Sequence, residues 1–240
     1  MKLISIIIPV YNRASIFEKS LLSAIQQNYE NKEIIVVDDG SNDNVKNVVD
    51  VVSVENKNIE IKYIRQINKG APVARNRGFK ESQGEYVIFW DADIKAEKDM
   101  LTKMSEILES QEDISFVYGN FNLKRKKMLA QVFSPIQLQK NNYIHTSSLI
   151  RKKDFPLFDE KLKRFQDWDL WLTMVKNGKK GKWLDEYLFT IFSKGIISGW
   201  LPKFAYKKPW QYLPWWKKKV EKYNQARKII LEKHHLEKEV

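Results

Sequence analysis

The chain has 240 residues, 43% of them hydrophobic and 30% charged, which suffices for one large domain with an appendage and excludes intrinsic disorder. It has no cysteine, so a disulfide framework, a thiolate metal site and a thiol nucleophile are all excluded, and a reducing, cytoplasmic setting fits best. The net charge of +12 leaves nucleic acid, an anionic membrane surface and a phosphorylated substrate open as partners. No uncharged stretch reaches the roughly 18 to 20 residues of a transmembrane helix, and Pro9 and Asn12 end the first apolar run before a signal-peptide cleavage region could form.

Residues 3–10 (LISIIIPV) are a short β-branched run that predicts a buried strand. Apolar residues at helical spacing over 15–27 predict a helix with Ser15 as its N-cap. A second strand is expected at 33–37, a helix at 44–54, a third strand at 59–64 and a helix at 72–82. The strand 86–90 (YVIFW) runs directly into Asp91-Ala92-Asp93. A helix over 98–110 and a strand over 114–118 follow, the segment 120–142 has no clear period, and 167–177 reads as a helix with Gly178 at C′. Strands alternating with helices at this spacing predict an α/β fold with a mainly parallel sheet.

In such sheets ligands bind beyond the carboxyl ends of the strands. Those ends carry Pro9-Val10-Tyr11-Asn12, Asp38-Asp39-Gly40-Ser41 and Asp91-Ala92-Asp93. If the strand persists through Asp93, its period of two aims both carboxylates the same way, as Mn²⁺ or Mg²⁺ needs for holding a diphosphate. The alternative is a turn in which the Asp side chains bond backbone amides. Asp39 suits acceptance from a base or ribose, with Gly40 permitting close backbone approach and Tyr11 stacking on the base; the competing reading has Asp39 capping a helix. Lys69, Arg75 and Arg77 surround the start of the helix after Gly70, a place for diphosphate contacts. Asp167 opens a tryptophan-bearing helix and is a candidate general base, or simply a charge favoured by the helix N-terminus.

Together these motifs resemble the inverting family 2 glycosyltransferases, whose fold is called GT-A. The matching pieces are 5–12, 36–41, 70–78, 89–93 and 167–171, in family order over about residues 3 to 192. The resemblance implies a GT-A (Rossmann-like) domain over 1–195, with a nucleotide-binding half (1–95) and an acceptor-binding half (96–195), and a basic aromatic helical extension over 196–240. It implies a nucleotide-sugar donor (UDP-, GDP- or dTDP-linked) contacted by Pro9, Tyr11, Asn12, Asp39, Gly40, Lys69, Arg75, Asp91 and Ala92. It further implies Mn²⁺ or Mg²⁺ on Asp93 and Asp91, and Asp167 as catalytic base toward a glycan or lipid-linked acceptor. His145, Gln166 and Trp168 are acceptor-side candidates, although His145 reads first as a satisfied structural histidine. Two departures stand out: Gln166 replaces the usual Glu before the catalytic Asp, and Pro156-Leu157 replace the usual Gly-Gly before Phe158-Asp159-Glu160.

The last 40 residues hold 11 Lys and Arg against 4 Glu, and half of the eight tryptophans lie at 200, 210, 215 and 216. Such a segment either lies on an anionic membrane surface, giving a peripheral enzyme on its cytoplasmic face, or packs its aromatics on the catalytic domain or a second copy. Two rival functions remain at this stage. A nucleic-acid binder is suggested by the charge and opposed by the acidic strand ends, so no nucleic acid is expected; a metal-dependent nucleotidyltransferase would differ in taking a triphosphate.

Overall fold

The computed structural model describes residues 1–192 and 214–236. Among the described residues nine strands form one sheet: β1 (Ile4–Val10), β2 (Lys32–Asp38), β3 (Ile61–Arg65), β4 (Tyr86–Phe89), β5 (Ile94–Ala96), β6 (Ile114–Leu123), β7 (Lys126–Met128), β8 (Leu149–Arg151) and β9 (Lys180–Ile191). Seven helices accompany them: α1 (Ala14–Ile25), α2 (Val45–Glu55), α3 (Ala71–Glu81), α4 (Met100–Ser110), α5 (Pro135–Lys140), α6 (Gln166–Lys176) and α7 (Pro214–Lys233). The order across the sheet is β3-β2-β1-β4-β8-β6-β9-β5, with β7 on β6. Pairs β1–β2, β1–β4, β2–β3 and β6–β9 are parallel, and β5, β7 and β8 run against their neighbours. The sheet is therefore mixed and mainly parallel, as the alternating pattern implies.

The centre of the sheet explains the apolar runs. β1 lies between two parallel strands and is covered on both faces, so Ile4, Ile6 and Ile8 enter one core cluster while Ile7 enters the other. Pro9 is tolerated in this central strand because pairing to β4 stops at Ile7↔Phe89. The Ile7 carbonyl accepts from Trp90 N–H, and Pro9, two residues on, faces the same side beyond the last pair, where an N–H is not needed.

The cap of α1 differs from the sequence expectation. Ser15 lies inside the helix, and the N–H of Ala14 is capped instead by Asp43 Oδ2 at 2.8 Å, from the loop after β2. A long-range carboxylate at the positive end of the helix does the work of a local cap. Gly178 does end α6 in the left-handed region, with φ of 72°, as the sequence requires. Beyond it runs β9, unmarked in the sequence because charged residues interrupt it and its pairing with β6 shifts register.

The C-terminal extension is described in part. Residues 193–213 and 237–240, with Trp200 and Trp210, lie outside the described residues. Helix α7 packs back on the body: Val220, Ile230 and Leu231 are buried, the last two in the cluster that holds α6. Its other face presents Lys217, Lys218, Lys219, Lys222 and Lys228 to solvent. No helix among the described residues is long and apolar enough to cross a membrane.

Candidate active site

Three strand-end loops meet where β1, β2 and β4 stop. Asn12, at φ of 49°, donates its backbone N–H to Ser41 Oγ and accepts from Asn42 N–H, tying the first loop to the second. Tyr11 is left exposed beside them. Asp38 is buried and accepts from Ser41 N–H and the Tyr63 hydroxyl. Asp39 is buried too, accepting from Gln66 Nε2 and Lys69 N–H on Oδ1 and from Gly70 N–H on Oδ2. This carboxylate therefore fixes the loop that enters α3 without being a helix N-cap itself, those of α2 and α3 being Asn44 and Gly70, and it keeps acceptor capacity for a fourth donor. Gly40 serves the same joint. At φ of 79°, a Cβ there would come within 2.9 Å of Asn68 N, so its close approach is to the 66–68 backbone.

Asp91 and Asp93 do not extend a strand. β4 ends at Phe89, and Asp91-Ala92-Asp93 forms a turn closed by Ile94 N–H donating to the Asp91 carbonyl. The same carbonyl accepts from Ser20 Oγ, which also receives the Trp90 indole N–H, so a residue of α1 anchors the turn. Ala92 is buried beneath it, and the two carboxylate residues are half-buried at the surface. A turn rather than a two-residue period thus places both.

Arg75 organises the site from α3. Buried to 8% exposure, it donates to Asp91 Oδ1 at 3.0 Å and to Gln166 Oε1 at 3.1 Å, and its guanidinium lies 5.3 Å from the Phe158 ring centre. Its Nε is buried without a protein partner. Gln166 also donates to the Leu162 carbonyl, so it braces Arg75 against the loop before α6. Arg77 turns away and pairs with Glu81, and Lys69 offers the joint its backbone N–H while its side chain stays exposed.

His145 faces Asp91 across 3.7 Å from Nε2, between the rings of Phe121 and Phe189. Its Nδ1 accepts Ser147 N–H, which puts the proton of the neutral ring on Nε2. Burial pushes the imidazole below its ordinary pKa; Asp91, Asp167 and Asp93 oppose this, and Arg75 adds to it. His145 thus feels all three candidate carboxylates electrostatically, with Asp91 in direct reach.

Asp167 sits at the start of α6 and accepts from Asn142 Nδ2 at 2.7 Å. Burial raises its pKa above the ordinary value of 3.8, against the pull of His145, the Trp168 N–H and Arg75. Trp168 is a correction to the acceptor-side set: it is 2% exposed and its indole donates to the Leu138 carbonyl, so it belongs to the core. Asn142 and Ser20 are the positioning partners the sequence did not mark, Asn142 because it lies in the segment without a period.

The Pro156-Leu157 departure keeps the glycine-like backbone: Leu157 adopts φ of 73°. A branched side chain there costs about 1 to 2 kcal/mol relative to an unstrained position. Leu157→Gly should therefore cost no stability and gain up to about 1 kcal/mol in urea unfolding, whereas Leu157→Val should lose stability.

The sequence profile of Glycosyl transferase family 2 matches residues 5–162, from β1 to the loop before α6. The chain belongs to this family. The family 2 match ends five residues before Asp167. Among family relatives, the cholesterol galactosyltransferase of Borreliella burgdorferi is 37% identical over 134 residues, covering 52% of this chain and 36% of its own. The putative teichuronic acid biosynthesis glycosyltransferase TuaG of Bacillus subtilis is 28% identical over 221 residues, 87% of this chain and 86% of its own. The chain spans 48%, 33% and 36% of three other or named relatives, so it covers half or less of the first curated proteins it matches. Solved structures share the GT-A fold. Staphylococcus aureus TarS 1-349 in complex with UDP-GlcNAc superposes with a TM-score of 0.69 at 20% identity, covering 86% of this chain and 64% of that one. The mannosyltransferase of Pyrobaculum calidifontis in complex with GDP-Man and Mn²⁺ gives 0.66 at 17% identity, covering 82% and 59%.

Asp91 and Asp93 fit a divalent cation by their chemistry: both are hard oxygen donors, half-buried on one turn. Among the described residues no group of three or more candidate ligands exists. A Mg²⁺ ion is commonly held by one or two carboxylates, with substrate phosphates and water completing its shell.

Proposed function

We propose that the chain is an inverting, metal-dependent glycosyltransferase that moves a sugar from a nucleotide-sugar donor to an acceptor hydroxyl. The observation that carries this reading is that Arg75 ties Asp91 of the strand-end turn to Gln166, one residue before Asp167 at the start of α6, with His145 3.7 Å from Asp91. The nucleotide half, residues 1–95, supplies Pro9, Tyr11, Asn12, Asp39 and Gly40 toward base and ribose, and Arg75 with Lys69 toward the diphosphate. Asp91 and Asp93 would hold Mn²⁺ or Mg²⁺, which supplies Lewis-acid stabilisation of the departing diphosphate.

In the acceptor half, residues 96–195, Asp167 removes the proton of the acceptor hydroxyl as that oxygen bonds to the anomeric carbon and the bond to the diphosphate breaks. Attack opposite the leaving group inverts the anomeric centre, so an α-linked donor yields a β-linked product. Asn142 holds the base in place, and the Nε2–H of His145 is available to the acceptor. The acceptor is a lipid-linked or surface glycan, reached by peripheral attachment to an anionic membrane. The lysines on the outer face of α7 support the membrane attachment, and the teichuronic acid biosynthesis in the name of the TuaG relative supports a surface glycan.

A hydrolysis screen over UDP-, GDP- and dTDP-sugars with Mn²⁺ or Mg²⁺ tests the reading. One donor should be hydrolysed in the presence of metal, with activity lost in EDTA and restored by the cation. No turnover of any nucleotide sugar, or binding of nucleoside triphosphates in preference to diphosphates by thermal shift, would refute it.

A further inference from the structure

We propose that α7 is a clamp that positions the catalytic helix, with Lys233 as its principal positioning residue; this rests on the reading of Asp167 as the base. The Lys233 ammonium bridges two carboxylates, Asp159 Oδ2 at 2.7 Å and Asp169 Oδ1 at 2.8 Å. These lie at either end of the segment that leads into α6 and forms its first turn. Asp169 is 3% exposed and receives a second contact from α7, His234 Nε2 at 2.7 Å from Oδ1. Burial works against the Lys233 charge, and the two carboxylates outweigh it, holding the ammonium above the usual lysine range.

The bridged segment is where the base is aimed. Phe165, directly before α6, has φ of 58°, the left-handed region, which a bulky side chain occupies at a cost of about 1 to 3 kcal/mol unless its surroundings enforce it. Its ring packs edge-on against Tyr223 of α7, with centroids 5.1 Å apart, and against Trp168 at 5.8 Å. Arg227 of α7 lies over the Trp168 ring at 5.8 Å. The two residues that follow Phe165 are Gln166, which braces Arg75, and Asp167, held by Asn142. On either side of Asp159 in the chain, the Phe158 carbonyl and Glu160 accept from Asn76 of α3. Releasing α7 would leave a buried carboxylate at Asp169 without the Lys233 ammonium and let the strained Phe165 joint relax, moving Asp167 relative to the donor half.

Displacement of a catalytic group by about 1 Å costs up to about 100-fold in rate. The test uses the full chain, the nucleotide sugar it hydrolyses fastest with Mn²⁺, and the variants Lys233→Met, Lys233→Arg, Asp159→Asn and Asp167→Asn. Lys233→Met and Asp159→Asn should lower kcat for donor hydrolysis about 10- to 100-fold, with KM for donor and Kd for UDP or GDP unchanged, and Lys233→Arg should recover most of the rate. An unchanged kcat in both variants, or parallel losses of kcat, nucleotide affinity and Tm without recovery in Lys233→Arg, would overturn the clamp. Failure of the base assignment is separable: it would show as wild-type turnover in Asp167→Asn.

Discussion

Asp167→Asn should lower kcat by about 10²- to 10⁴-fold, the usual contribution of a general base, while nucleotide affinity stays at the wild-type level. The substitution keeps the side-chain oxygen that accepts from Asn142, so the helix start is preserved and the loss reports the proton acceptor alone. The pH profile follows from burial. The folded-state pKa of Asp167 lies above 3.8, so the acid limb of kcat/KM should fall above the ordinary carboxylate range as the base is protonated. Stability runs the other way. Between 3.8 and the raised value the folded chain binds this proton more tightly than the unfolded chain, so deprotonation costs stability as pH rises through that window. Asp167→Asn should therefore melt higher than wild type at neutral pH, and the difference should vanish below about pH 3.8, where both side chains are neutral. A variant that is both inactive and more stable is the signature of a charge kept for function.

Arg75→Met should have the largest effect on both binding and stability. The guanidinium is almost fully buried and bridges Asp91 to Gln166, so its removal leaves a carboxylate facing His145 with its main cation gone. Removing one partner of a buried pair costs about 3 to 5 kcal/mol; with Asp91 a quarter exposed, about 3 kcal/mol in urea unfolding is expected. Nucleotide affinity should fall as well, because the Asp91 turn loses its tie to α3. Arg75→Lys should recover little, since one ammonium cannot span both partners with the geometry of a fork.

The sequence carried the parts of the site that sit on short, strongly patterned elements. β1, β2 and β4 are buried on both faces and read as apolar runs, and their polar ends follow immediately, so Asp39 and Asp91 were legible as strand-end residues. The turn at Asp91–Asp93 was not, because the sequence shows where the apolar run stops but not that Ser20 and Ile94 close the chain there. The acceptor half was harder. β8 and β5 have three residues each, and β9 mixes charged and apolar positions over 12, so no single period marks them. Long-range partners are the other hidden class. Nothing near Asp167 in sequence points to Asn142, and nothing near Ala14 points to Asp43, because both bonds depend on loops brought together by the sheet. Leu157 is a third kind of case: the departure from Gly-Gly is visible in the sequence, but not that a leucine there adopts a left-handed backbone.

The central claim is that the Asp91–Asp93 turn binds the nucleotide through a divalent cation. Calorimetric titration of UDP and GDP into wild type and Asp93→Asn, with Mn²⁺ and again in EDTA, tests it directly. Wild type should bind one of the two diphosphates in Mn²⁺ and lose it in EDTA, and Asp93→Asn should fail to bind in either buffer. Equal affinity in EDTA and Mn²⁺, unchanged by Asp93→Asn, would contradict the account.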